Sequence, residues 1–205
     1  MIFISQKDEL ALGEKSYKAS LSESKVITGT KDAKRVKDIG IKIAKVANRA
    51  DFNWAFNLVQ SDEVNAFCLP GGKVVVYTGI LKVAHNDDQL ATVIAHEIAH
   101  ALARHGAERM SASMVQQGLQ VVGNIALGAT APQYQNLFNQ TYGIGSQVGV
   151  MLPYGRMQES EADEIGIHLM NKAGYNIYEA LKFWEDMSDG KKETSDFLST
   201  HPSST

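Results

Sequence analysis

The chain has 205 residues, a length that suits one compact domain or one domain with an appended arm. Its 44% hydrophobic and 21% charged content is ordinary for a globular protein, and a net charge of −3 gives no electrostatic case for a nucleic-acid partner. Cys68 is the only cysteine, which excludes an internal disulfide, and the absence of any apolar run of about 18 residues argues against a membrane-spanning helix.

In chain order, Met1-Ile2-Phe3-Ile4 is too short an apolar start for a signal peptide. Residues 6–25 and 32–50 carry helical periodicity, the second through Val36, Ile39, Ile43 and Ala47, so N-terminal helices are expected over 1–50. Trp54, Phe56 and Leu58 alternate with polar residues, as in a half-buried strand. Residues 65–69 and 73–77 flank Pro70-Gly71-Gly72 and predict two more strands joined by a turn. Cys68, between Phe67 and Leu69, reads as buried and inert. The expected fold is α+β: mostly helical, with a small, mainly antiparallel three-stranded sheet beside the helix that follows.

That helix carries His96-Glu97-Ile98-Ala99-His100. Four helical steps of ~100° leave the two imidazoles about 40° apart around the axis and ~6 Å apart along it, close enough to share one zinc ion. Glu97 projects to the side, where a general base would reach water rather than metal. Asn86 reads as the N-cap with Gln89 at the capping-box position, Asp87 and Asp88 suit the positive end of the dipole, and Gly106 offers a stop. The plainer alternative is an amphipathic helix with two satisfied histidines. On a continuous helical wheel His105 falls nearly opposite the pair, so it is expected to cap or pack rather than bind metal.

The segment 106–153 is rich in glycine and glutamine, with apolar patches at Met114–Leu119 and Val121–Leu127 and a glycine-rich approach through Gly143, Gly145 and Gly149. It reads either as a lid or partner-binding surface or as a loosely packed helical hairpin. A helix is predicted from about Gly155 to Lys172, stopped by Gly174. Arg156, Glu159, Ala162, Asp163 and Gly166 share one face, while Glu161 points about 200° away from Glu159. The small residues Ala162 and Gly166 favour close approach to the histidine helix. Glu159 is therefore the choice for a third ligand. Asp163 would accept the free ring N–H of a ligand histidine, and Arg156 would pair with either acid. Spacing alone equally allows Glu159, Glu161, Asp163 and Glu164 to form a solvated acidic face. Asn176 to Glu179 suggests a capping box opening a helix with Leu181, Trp184 and Met187 on one face.

His96-Glu97-Ile98-Ala99-His100, Glu159-Ser160-Glu161-Ala162-Asp163 and Thr200-His201-Pro202, with Asn65-Ala66-Phe67 before Pro70-Gly71-Gly72, together resemble the HtpX-like zinc metallopeptidases. That family includes the CAAX prenyl proteases and the Oma-type quality-control proteases. The similarity runs in order from about Asp8 to Pro202, so residues 1–205 are expected to form a single metallopeptidase domain. The resemblance implies one zinc ion held by His96, His100 and Glu159, Asp163 supporting a ligand histidine, and substrate lying on Asn65, Ala66 and Phe67. Asn65 otherwise reads as a plain strand-start residue. The resemblance also gives His201 a catalytic role as hydrogen-bond donor to the oxyanion; the alternatives are a fourth ligand in a resting state or a surface histidine.

The expected function is zinc-dependent hydrolysis of internal peptide bonds in extended or misfolded polypeptides, with Glu97 as general base. The alternative is a non-catalytic or latent chaperone-like scaffold retaining a structural zinc. By resemblance the expected location is a bacterial-type periplasm or cell envelope, with membrane association through an upstream segment.

Overall fold

A computed structural model of the chain describes residues 1–116, 132–143, 154–189 and 195–202. Helix α1 (Gln6–Ser22) opens on Ser5, whose side chain accepts the Asp8 N–H at 3.1 Å. Helix α2 (Lys31–Ala47) opens on Thr30 in the same way, buries Val36, Ile39 and Ile43, and closes on Asn48 in the left-handed region (φ 53°) that Asn tolerates. The described residues hold four strands: β1 (Val26–Ile27), β2 (Ala55–Val59), β3 (Ala66–Leu69) and β4 (Lys73–Tyr77).

They form one sheet in the order β1-β2-β4-β3, with β1–β2 and β3–β4 antiparallel and β2–β4 parallel. The α+β expectation holds, but the sheet has four strands rather than three and is mixed. Two residues of β1 are too few to show an alternation, which hid that strand. The parallel pair arises because the chain leaves β2 for the far edge and the hairpin then returns β4 between β2 and β3. The hairpin turns at Gly71 and Gly72 (φ 88° and 79°), and a Cβ at Gly72 would lie 2.5 Å from the Trp54 ring.

Strand alternation divides the core into two layers. Leu58, Ala66, Cys68, Val74 and Val76 pack with α2 and α3 (Asp87–Leu102), whereas Val59, Phe67, Leu69 and Val75 pack with α1, α4 (His105–Gln116) and α5 (Pro132–Tyr142). Helix α3 is buried on every face from Gln89 to Ala101, so its polar side chains must find partners inside the protein. Its N-cap is Asn86, accepting the Gln89 N–H at 2.8 Å; the Gln89 side chain accepts the His85 N–H instead of closing a capping box.

Gly106 does not stop this helix. The chain breaks at Arg104, a left-handed non-glycine residue (φ 60°) whose guanidinium donates to buried Glu9 at 2.7 Å and to the Ile4 carbonyl at 3.0 Å. Gly106 lies inside α4, where a Cβ would collide with the Tyr142 hydroxyl at 1.8 Å. Helices α4 and α5 pack on each other; the patch Val121–Leu127, the end of the patch Met114–Leu119, and Gly145 and Gly149 lie outside the described residues.

Helix α6 (Arg156–Lys172) lies against α3, and a Cβ at Gly166 would reach the His96 backbone nitrogen at 3.3 Å, so the missing side chain sets how closely the helices approach. Helix α7 (Tyr178–Ser188) carries Leu181, Trp184 and Met187 as expected; it buries Ala180, Phe183 and Met187, while Leu181 is exposed. Glu179 does not complete a capping box either: its carboxylate accepts from Asn86 and Gln89 at the start of α3 (3.0 and 2.9 Å), a longer-range cap that the local pattern could not reveal. The last element, α8 (Ser195–Thr200), leads directly to His201. Among the described residues no helix is long and apolar enough to cross a membrane.

Candidate metal centre

Helix α3 turns His96 and His100 inward together, with Nε2 atoms 3.1 Å apart. Glu159, one turn into α6, brings Oε2 to 3.2 Å from His96 Nε2 and Oε1 to 3.3 Å from His100 Nε2. His201 Nδ1 completes the group, 3.2 Å from Glu159 Oε1 and 3.4 Å from His96 Nε2. All four residues are buried, and a donor atom from each lies within 4.8 Å of the others. A Tyr154 N–H to Thr200 carbonyl bond of 3.0 Å ties the entry of α6 to the end of α8, which is how two remote segments meet here.

The remaining expected site residues divide. Asp163 Oδ1 lies 3.0 Å from His96 Nδ1, on the outer side of that ring. Glu97 is buried beside the group, with Oε1 3.3 Å from His201 Nε2. Arg156 joins neither Glu159 nor Asp163: among the described residues it has no ion pair and its side chain is exposed. A long guanidinium in the first helical turn gains more from water than from entering a buried site. Asn65 is buried, and its side-chain oxygen accepts the Ala66 N–H at 2.9 Å. Because Tyr77 N–H donates to the Asn65 carbonyl, Asn65 and Phe67 turn their main-chain groups to β4, and Ala66 and Cys68, both buried, turn theirs to the side of β3 that has no strand partner.

Sequence reasoning missed several neighbours. Tyr154 stacks on His100 with ring centroids 3.7 Å apart, and Phe197 stacks on His201 at 4.4 Å. Trp184 meets the edge of His96 at 5.2 Å. His100 and His96 are thus held by aromatic rings remote in sequence, a tertiary meeting that no spacing announces, whereas Phe197 lies one helical turn before His201. His105 Nδ1 lies 2.9 Å from His100 Nδ1.

Burial opposes charge throughout. Desolvation is the largest influence on His96, yet its bonds to Asp163 and Glu159 together overcome it and raise the ring to about 10. Desolvation keeps His100 neutral and lowers His201 to about 4. Burial pushes Glu97 up to about 8. Burial also opposes ionisation of Glu159, but bonds from His100, His201 and His96 prevail and hold it well below the usual carboxylate range.

The donor set fits a small divalent cation. With their outer nitrogens on Asp163 and His105, His96 and His100 turn Nε2 toward each other and toward Glu159; the raised His96 supplies the positive charge that these acceptors need, and a divalent cation would take the place of that proton. Tetrahedral zinc with bonds of about 2.0–2.1 Å would set neighbouring donors about 3.3 Å apart, which is the spacing here. Glu97 Oε1 and His201 Nε2 are buried without an aligned hydrogen-bond partner.

A helix-borne histidine pair meeting a carboxylate from a second helix defines the metallopeptidase class of HExxH domains. Residues 30–205 match the model of Peptidase family M48, and the chain belongs to that family. It is 32% identical to the mitochondrial metalloendopeptidase OMA1 of Saccharomyces cerevisiae, over 100% of this chain and 63% of that protein. It is 35% identical to the Schizosaccharomyces pombe protein of the same name (80% and 47% covered), and 31% identical to the beta-barrel assembly-enhancing protease of Escherichia coli (82% and 35% covered). The chain therefore spans less than two thirds of the length of these curated relatives. The expected bacterial-type periplasm or envelope location is overturned, since the OMA1 relatives at 32–37% identity are named mitochondrial.

Proposed function

We propose that this domain is a zinc-dependent endopeptidase acting on extended or misfolded polypeptide, with His96, His100 and Glu159 holding the ion. The observation that carries the reading is Glu97: a buried carboxylate beside the donor group but outside it, which a purely structural ion would not need. A bound zinc ion supplies Lewis acidity, polarising the scissile carbonyl and bringing the pKa of a water from 15.7 to about 7. Glu97 would serve as the general base, its carboxylate ionised beside the cation, accepting a proton from the attacking water and returning it to the leaving amine nitrogen. Asp163 holds the His96 proton on Nδ1, so that Nε2 faces inward. An extended substrate would add to the unpaired edge of β3, through the Ala66 carbonyl and the main-chain groups of Cys68, a mode with weak side-chain preference.

Purified chain should contain one zinc per molecule and cleave casein. Cleavage should vanish on chelation and return with added zinc. The position of His201 favours a resting arrangement in which its ring fills the fourth corner. His201→Ala should then raise turnover of a short peptide; a fall of about 10²–10³ in kcat would instead assign the ring to the oxyanion. Zinc-loaded protein that cleaves nothing, as wild type or as His201→Ala, would leave the scaffold reading standing.

A further inference from the structure

From the geometry we infer that His105 and Glu161 form a positioning relay for His100, an inference that rests on the metal reading above. His105 is buried, with Nδ1 2.9 Å from His100 Nδ1 and Nε2 3.1 Å from Glu161 Oε2. The tautomers follow from the chain of contacts. To present a lone pair at Nε2, His100 carries its proton on Nδ1 and donates it to His105. His105 must then accept at Nδ1 and carry its own proton on Nε2, which it donates to the carboxylate of Glu161. With the His100 proton on Nδ1, a proton on His105 Nδ1 would put two between nitrogens 2.9 Å apart; the reverse donation would place the His100 proton on Nε2 and block the metal position.

The relay depends on the break between α3 and α4. A helix continuing past Leu102 would carry His105 to the opposite face; the left-handed Arg104 instead folds it back beside His100. The Arg104 bonds to Glu9 and Ile4 stabilise that uncommon conformation. Glu161 closes the relay from the flank of α6 turned away from Glu159, so one helix supplies carboxylates to both the inner and the outer ring of contacts. His96 has a direct acceptor in Asp163, whereas His100 reaches a carboxylate only through a second imidazole.

The test is zinc affinity of the metal-stripped full chain, by competition with a chromophoric chelator, together with the tautomers of His100 and His105 read from imidazole nitrogen shifts. His105→Leu should weaken zinc binding by about 10–100-fold. His105→Asn, which restores an acceptor near the Nδ1 position, should recover most of the loss. Glu161→Ala changes a side chain 59% exposed, so the fold should survive; it should weaken zinc binding in the same direction and blur the Nε2–H tautomer of His105. Wild-type affinity in His105→Leu would overturn the relay. So would a loss that Asn fails to recover, combined with an unaffected Glu161→Ala, because that pattern marks simple packing. If wild type itself bound no zinc, the metal reading would fail, a result distinguishable from either.

Discussion

Glu97→Gln is expected to lower kcat on a peptide substrate by about 10²–10⁴-fold while leaving one zinc per chain. The amide has nearly the shape of the carboxyl it replaces, so the packing around a fully buried side chain is kept. Glu97 is not one of the four converging donors, so its loss removes no ligand. What disappears is a site that accepts a proton. Burial has already pushed this carboxyl up to about 8, so a neutral amide suits its surroundings at least as well and the melting temperature should not fall. Turnover, metal content and thermal unfolding measured on one preparation check all three statements. Retained turnover would remove Glu97 as the base; lost zinc would make it a ligand.

The parts of this arrangement that sequence reveals are those set by local period. Asn86 and the His96–His100 spacing placed the first helix, and the small residues Ala162 and Gly166 placed the second against it, because a 3.6-residue repeat puts those side chains on one face whatever else the chain does. Strands β2, β3 and β4 were legible through alternation and the Pro70-Gly71-Gly72 turn. What stayed hidden depends on tertiary events. The wheel that set His105 opposite the metal pair assumed a continuous helix, whereas Arg104 breaks it in a conformation usually given to glycine and held by Glu9, which lies 95 residues earlier. The stacking of Tyr154 on His100 and the edge contact of Trp184 with His96 join segments remote in sequence. Arg156 was assigned by helix face alone, and face alone does not say how deep a long side chain near a helix start will go.

Burying three imidazoles and two carboxylates within a few ångströms is costly for any fold, and the cost explains why the outer nitrogens of His96 and His100 each have a dedicated neighbour. Asp163 and His105 occupy the outer nitrogens of His96 and His100, so the inner nitrogens are left to converge on Glu159, where a cation would sit among them. That division of labour also means that inner and outer substitutions should differ in size.

Glu159→Gln is expected to weaken zinc binding well beyond the about 10–100-fold typical of an outer-sphere loss, with peptidase activity falling alongside it. Glu159 is the only carboxylate among the four donors, and it is kept ionised against its own desolvation by three surrounding imidazoles. The amide removes that negative charge and places an NH2 group where an oxygen faced ring lone pairs. A neutral amide is also a poor zinc ligand, so the site would keep three nitrogen donors and lose charge compensation for a divalent ion. Helix α6 is buried through Ala162, Gly166, Leu169 and Met170, residues the substitution does not touch, so the fold should persist and the loss should be read as affinity. Chelator competition on Glu159→Gln beside Glu161→Ala makes the comparison internal: the first should exceed the second by a wide margin. Equal losses, or a zinc Kd for Glu159→Gln within tenfold of wild type, would take Glu159 out of the ligand set and with it the two-helix clasp on which the catalytic proposal stands.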